Sequence, residues 1–159
     1  ATAGCIGLTR LNDQLLLVVG DWDSKHLDFY TAPYPSRRPD ALSFELIHTI
    51  DTEKADKSAW IDPDWLSYQN INLLRDAKDR IYLVGTAGNT QGEDAADLFE
   101  LNPAGQNGFQ LRKIAGKNFG ARDETKFRWG AGIFQDSDGK LRILSCGENL
   151  WERSFLSWF

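Results

Sequence analysis

The chain has 159 residues, enough for one ordinary domain with a sizeable core, and its 42% hydrophobic and 26% charged content is globular rather than disordered. A formal charge of −5 and a pI near 5.0 argue against nucleic acid or an anionic membrane surface as partner, since both need clustered Lys and Arg. The longest apolar run, Leu15 to Val19, is strand-sized and far below the ~18 residues of a membrane-spanning helix.

The N-terminal stretch ATAGCIGLTRL has neither the basic region nor the apolar core of an intact signal peptide, and the chain contains no Met, so the start reads as a processed or cut end. Strand signals begin at once. Ile6–Gly20 (IGLTRLNDQLLLVVG) reads as an apolar strand, a polar turn at Leu11-Asn12-Asp13-Gln14, and a second apolar strand. A loop, Asp21-Trp22-Asp23-Ser24, leads to a third strand at Leu27–Tyr30. A proline-bearing turn, Pro33 to Pro39, leads to a fourth strand at Phe44–His48.

The same order recurs. Ile71–Gly85 (INLLRDAKDRIYLVG) holds two apolar strands around Asp76-Ala77-Lys78-Asp79. The loop Asn89–Asp94, a strand at Asp97–Leu101, a turn at Asn102–Gly108 and a strand at Phe109–Ile114 follow. Ala131–Ser145 then repeats the hairpin around Asp136-Ser137-Asp138-Gly139, the only one of the three turns with the strong Asp-Gly signal. The loop Glu148–Glu152 follows, and Phe155–Phe159 supplies a third strand.

Placed at an offset of 65, Ile6–Gly20 and Ile71–Gly85 share five of fifteen positions without a gap, namely Ile6/Ile71, Leu8/Leu73, Arg10/Arg75, Val19/Val84 and Gly20/Gly85. Chance gives about one. The third copy fits at a further offset of 60, with the pattern kept and few identities. Leu15–Val19 does not alternate, and a continuous apolar run marks a strand covered on both faces. Four short strands per unit at this period, with covered second strands, predict an all-β fold of β-propeller blades rather than a β-sandwich. The predicted units are a blade over residues 4–50, a connection over 51–67, a blade over 68–116, a connection over 117–128, and an incomplete blade over 129–159.

YQNINLLRDAKDRIYLVGT followed by DAADLFEL, together with GLTRL…LLLVVGDWDS…LDFY, resembles the blade repeats of secreted or surface propeller-like proteins. The resemblance covers most of the chain, is structural, and brings no catalytic residue with it. It implies an extracellular or periplasmic location, whereas Cys5 and Cys146, too few for a disulfide framework, leave both the compartment and their own pairing open. Propellers hold four to eight blades, so three units must be completed, either by more of the same polypeptide, the favoured reading, or by a second copy of the chain.

In an up-and-down blade, the loop between the second and third strands shares an edge with the connection from the preceding blade, and that edge is the expected ligand face. It collects Asp21, Trp22, Asp23, Asn89, Glu93, Asp94, Glu148, Asn149 and Trp151, with Trp60, Asp62, Asp64, Trp65, Tyr68, Arg122, Asp123, Glu124, Arg128 and Trp129 from the connections. Aromatic rings beside carboxylates and amides suit a neutral sugar, whose apolar face stacks on the ring while its hydroxyls bond to Asp and Asn. The ordinary alternative is that the Trp residues pack on blade flanks and the Asp and Asn serve turns.

Other chemistry has less behind it. A glycosidase needs two opposed carboxylates, and any acidic loop face supplies candidates. There is no G-x-S-x-G, no nucleotide-binding glycine pattern, no N-x-[ST], and no His or Cys spacing for a metal, so no cofactor or metal is expected. His48 falls in an apolar strand pattern and reads as structural. Asp136–Gly139 resembles the start of a calcium loop without its downstream acid, and reads as a hairpin turn. Three functions therefore stand at this stage, in order: a carbohydrate-binding propeller, a protein-interaction scaffold, and a glycan-acting hydrolase or lyase.

Overall fold

A computed structural model describes residues 3–21, 26–34, 42–51, 54, 70–88, 93–105, 108–121, 128–147 and 155–158. The described residues form strands and turns with no helix, so no helix among them is long and apolar enough to cross a membrane. The chain is all-β, as the sequence predicts.

The strands fall into three antiparallel sheets that follow chain order. The first holds β1 (Ala3–Leu11), β2 (Gln14–Asp21), β3 (His26–Pro33) and β4 (Glu45–Asp51), each bonded to the next. The second holds β5 (Asn70–Arg75), β6 (Ile81–Gly88), β7 (Glu93–Ala104) and β8 (Gly108–Ala121) in the same order. The third holds β9 (Arg128–Gln135), β10 (Leu141–Gly147) and β11 (Phe155–Trp158), so the C-terminal segment pairs as a third strand. Strand β8 runs on to Ala121, past residue 116 where the sequence reading ended the second unit, and β7 starts at Glu93 rather than Asp97. Those added residues pair with each other, Glu93 with Ala121 and Ala96 with Lys117, with bulges after Asp94 and Leu98. Small residues at Ala95, Ala96, Gly116 and Gly120 carry no apolar periodicity, which hides this stretch from a pattern search.

Turn chemistry fixes each hairpin. Asn12 takes φ 55 in the first, a left-handed value that Asn tolerates better than most side chains. The other two turns are copies of one device. In both, the first aspartate N–H donates to the carbonyl four residues on, from Asp76 to Arg80 and from Asp136 to Lys140, and its own carbonyl accepts from the residue three on. That third position has positive φ, 64 at Asp79 and 79 at Gly139.

The register revises the repeat. Leu73 faces Leu83, and Ile133 faces Ile143, so the offset of 60 holds on both sides of the turn. Leu8, however, faces Leu17. The second turn is therefore one residue longer than the first, and the counterparts of Leu83 and Gly85 are Leu17 and Val19. The Val19/Val84 and Gly20/Gly85 identities are coincidences of an ungapped alignment, whereas Ile6/Ile71, Leu8/Leu73 and Arg10/Arg75 are true counterparts.

The sheets pack face to face, with first strands touching, β1 on β5 and β5 on β9. Between the first and second sheets lie Leu16, Val18, Leu27, Phe29, Ile71, Leu83 and Phe99, all at most 2% exposed. Each such side chain gains about 1.5–3 kcal/mol from leaving water. Phe29 and Phe109 stack across this interface with centroids 5.2 Å apart. Close approach needs glycine: a Cβ on Gly7 would lie 3.0 Å from Leu73 Cγ, and one on Gly20 2.7 Å from Cys5 Sγ and 2.9 Å from Ile71 Cδ1. Between the second and third sheets lie Tyr82, Val84, Leu98 and Ile143.

The middle sheet is thus covered on both sides, and β6 is buried continuously from Ile81 to Thr86. In β2 Leu16, Val18 and Gly20 are buried, while Leu15, Leu17 and Val19 on the other face are half-buried. Beside them Ile6 is 61%, Leu8 52% and Leu46 51% exposed. The sequence expected β2 to be covered on both faces; among the described residues nothing covers the second, and the three sheets do not close on themselves.

Candidate functional site

The ladders align one end of every sheet. Ala3 opposes Asp21, and His26 opposes Asp51. Asn70 opposes Thr86, and Glu93 opposes Ala121. Gly20, near the end of β2, sits against Ile71, near the start of β5, so the first two sheets present these ends along a common edge. This is the edge from which the second-to-third-strand connections leave.

Three of the nine predicted ligand residues lie in described backbone there. Asp21 is the last residue of β2, and Glu93 and Asp94 open β7, with Asp94 opposite both Gly88 and Gly120. They therefore belong to strand ends rather than to free loops. Trp22, Asp23, Asn89, Glu148, Asn149 and Trp151 lie outside the described residues, as do Trp60, Asp62, Asp64, Trp65, Tyr68, Arg122, Asp123 and Glu124. Arg128 and Trp129 begin β9, opposite the end of β10.

Two acidic side chains described in this part of the sheets, Asp51 and Asp97, are tied to the fold. The carboxylate of Asp51 accepts from the Lys54 N–H at 3.3 Å and pairs with Lys54 Nζ at 2.7 Å, a pairing that the 85% exposure of the Lys54 side chain renders weak. Further down β7, Asp97 is wholly buried and forms an ion pair with Lys113 of β8, whose ammonium also lies 5.8 Å from the centre of the Phe99 ring. The first sheet has an aspartate in the same register: Asp28 opposes Val19 as Asp97 opposes Gly85, and Thr49 Oγ1 donates to Asp28 Oδ1 at 2.6 Å. Among the described residues no group of three or more His, Cys, Asp or Glu is disposed to hold a metal.

No family model matches the chain, and no curated protein matches it significantly.

The opposite edge carries the hairpin turns and a shallow cavity of about 210 Å³ between the first and second sheets. Leu11, Asn12, Gln14 and Thr31 line it on one side, and Pro103, Gly108 and Phe109 on the other. It is smaller than the ~300 Å³ at which small-molecule sites begin, and no charged side chain lines it. His48 lies nearby with its ring 5.7 Å from that of Phe29, in the structural position its sequence pattern indicates.

The turn aspartates at this edge are the most strongly organised acids described. Asp76 Oδ1 accepts from the N–H groups of Lys78 at 2.8 Å and Arg80 at 2.9 Å, while Oδ2 accepts from Arg80 Nε at 2.8 Å. Asp136 Oδ1 accepts from Asp138 and Lys140, at 3.0 and 2.8 Å, and Oδ2 from Arg142 Nε at 2.8 Å. Burial is the largest influence on each and disfavours the charge. The backbone and guanidinium hydrogen bonds together outweigh it, and both carboxyls are held below the ordinary aspartate range. The sequence read Asp136–Gly139 as a hairpin turn in preference to a calcium loop, and the oxygens of Asp136 are occupied by that turn and by Arg142. The equivalent role of Asp76 was missed, although Asp at the same place in two aligned turns, followed by an Arg four or six residues on, was a readable signal.

Proposed function

We propose that the three sheets are blades of a β-propeller and that the protein binds carbohydrate through the edge from which Asp21-Trp22-Asp23, Glu93 and Asp94 emanate. The propeller reading is supported by first strands that touch one another while each sheet runs outward in chain order, as blades do around an axis. One observation carries the ligand reading: Gly20 abuts Ile71, so the end of β2 and the start of the second sheet share an edge, and the acidic, Trp-bearing segment after β2 leaves from it. A packed sheet beneath gives such a segment a rigid base, which suits recognition by stacking and paired hydrogen bonds.

A glycan array followed by calorimetry tests the reading. Binding of at least one neutral oligosaccharide is expected, weakened tenfold or more by Trp22→Ala and by Asp21→Asn, a loss of about 1.4 kcal/mol or more. An array without binding, or affinity unchanged in both variants, would discard it. Turnover of the bound glycan that Asp21→Asn or Asp23→Asn abolishes would replace binding with hydrolysis or lysis at the same edge.

A further inference from the structure

The open face of the first sheet has a built counterpart inside the molecule. Ile6 and Leu8 are the equivalents of Ile71 and Leu73, and Leu17 and Tyr30 are the equivalents of Leu83 and Phe99, by the ladder register of the two sheets. In the second sheet these four positions form the surface on which the first sheet lies, and none is more than 6% exposed. In the first sheet the same positions carry apolar side chains of similar size, yet Ile6 is 61% and Leu8 52% exposed. A surface patterned like a sheet–sheet interface is complementary to the inner face of another sheet of this repeat, not to an arbitrary apolar partner.

The third sheet carries the counterpart of the face with which the first sheet meets the second, with Arg142, paired to Asp136, at the place of the buried Leu16. Where the first sheet meets the second, Gly7 sits over Leu73 and Ile71 with almost no clearance. The third sheet has Gly132 at the register of Gly7, since Gly132 opposes Leu144 as Gly7 opposes Val18, and Leu144 and Leu156 stand at the places of Val18 and Phe29. Phe134, on the same side of β9 as Gly132, is 41% exposed. We propose that the chain self-associates head to tail, the face of the third sheet that carries Gly132 and Phe134 in one copy seating on the open face of the first sheet of another, with Gly132 over Leu8 and Ile6 as Gly7 lies over Leu73 and Ile71. The contact is heterologous, and two copies joined twice in this way would close a ring of six sheets. It uses sheet faces, not the loop edge, so it stands or falls independently of glycan binding.

Sedimentation of the full chain over a concentration series is the test, with Leu8→Glu and Phe134→Glu made separately. Both residues are half-exposed in the single chain, so circular dichroism and melting of the dilute variants are expected to match the wild type. The wild type is expected to associate, and each variant to dissociate at roughly tenfold higher concentration or more. Mixing the two variants is expected to restore association, because one undamaged pair of faces remains between them. A wild type that stays monomeric throughout would overturn the proposal. So would a Phe134→Glu variant that associates like the wild type, which would mean that first-sheet faces pair with each other.

Discussion

Replacing Asp76 separates what its hydrogen bonds contribute from what its charge contributes. Its side chain is wholly buried, and one oxygen holds two backbone N–H groups that turn β5 into β6, while the other holds Arg80 Nε at 2.8 Å. Asp76→Ala leaves both N–H groups without that acceptor. At about 1 kcal/mol for each neutral bond and somewhat more for a charged one, the loss is about 2–4 kcal/mol. Half of the Arg80 side chain is in water, so screening reduces its share and the two backbone bonds carry most of the effect. Asp76→Asn keeps one acceptor oxygen, and is expected to cost about half as much. The pH dependence has a definite sign. The folded carboxyl titrates below its unfolded value of about 3.9, so its stabilisation is fully present above that value and is lost as the pH falls below it. Urea unfolding at pH 7 and at successively lower pH below 4 measures both effects. The gap between wild type and Asp76→Asn is expected to narrow as the pH falls. A gap under about 0.5 kcal/mol at pH 7, or one unchanged by acid, would refute this account of the turn.

Leu73→Ala is expected to destabilise the protein by about 2–5 kcal/mol in chemical denaturation, whereas its counterpart Leu8→Ala, tested at dilution, is expected to cost less than about 1 kcal/mol. Gly20→Val places a side chain against Cys5 and Ile71, and a lowered melting temperature corresponding to about 1–3 kcal/mol is expected, with Gly7→Val acting in the same direction. Lys113→Ala leaves the Asp97 charge buried without its ammonium partner, and a loss of about 3–5 kcal/mol is expected in the same assay, partly recovered by adding Asp97→Asn.

Strand content, hairpin order and the two-copy match at an offset of 60 were legible because apolar alternation and turn residues act locally. The long ends of β7 and β8 were not, since small residues such as Ala95, Ala96 and Gly116 leave no apolar periodicity there, even where one of them, Ala96, is fully buried. The one-residue difference between the first two turns was masked by chance identities at Val19 and Gly20, and only the ladder partners of Leu8 and Leu73 reveal it. The apolar run of β2 predicted cover on both faces, whereas only one is covered among the described residues, because a run cannot say which face is supplied within the chain. As for the site, Asp21, Glu93 and Asp94 read as loop residues in the sequence, and strand pairing draws them into the ends of the sheets. The buried Asp97–Lys113 pair escaped notice because its partners are 16 residues apart and meet only through the β7–β8 ladder.

The stacking of three equivalent sheets, with the middle one covered on both sides, is tested most directly by hydrogen exchange of the dilute, monomeric chain. Amides of β5 and β6 are expected to exchange slowest, opening only with global unfolding, while β1 and β2 exchange faster than their second-sheet counterparts. Equal protection of β2 and β6, or slowest exchange in β9 and β10, would contradict a stack with the second sheet at its centre.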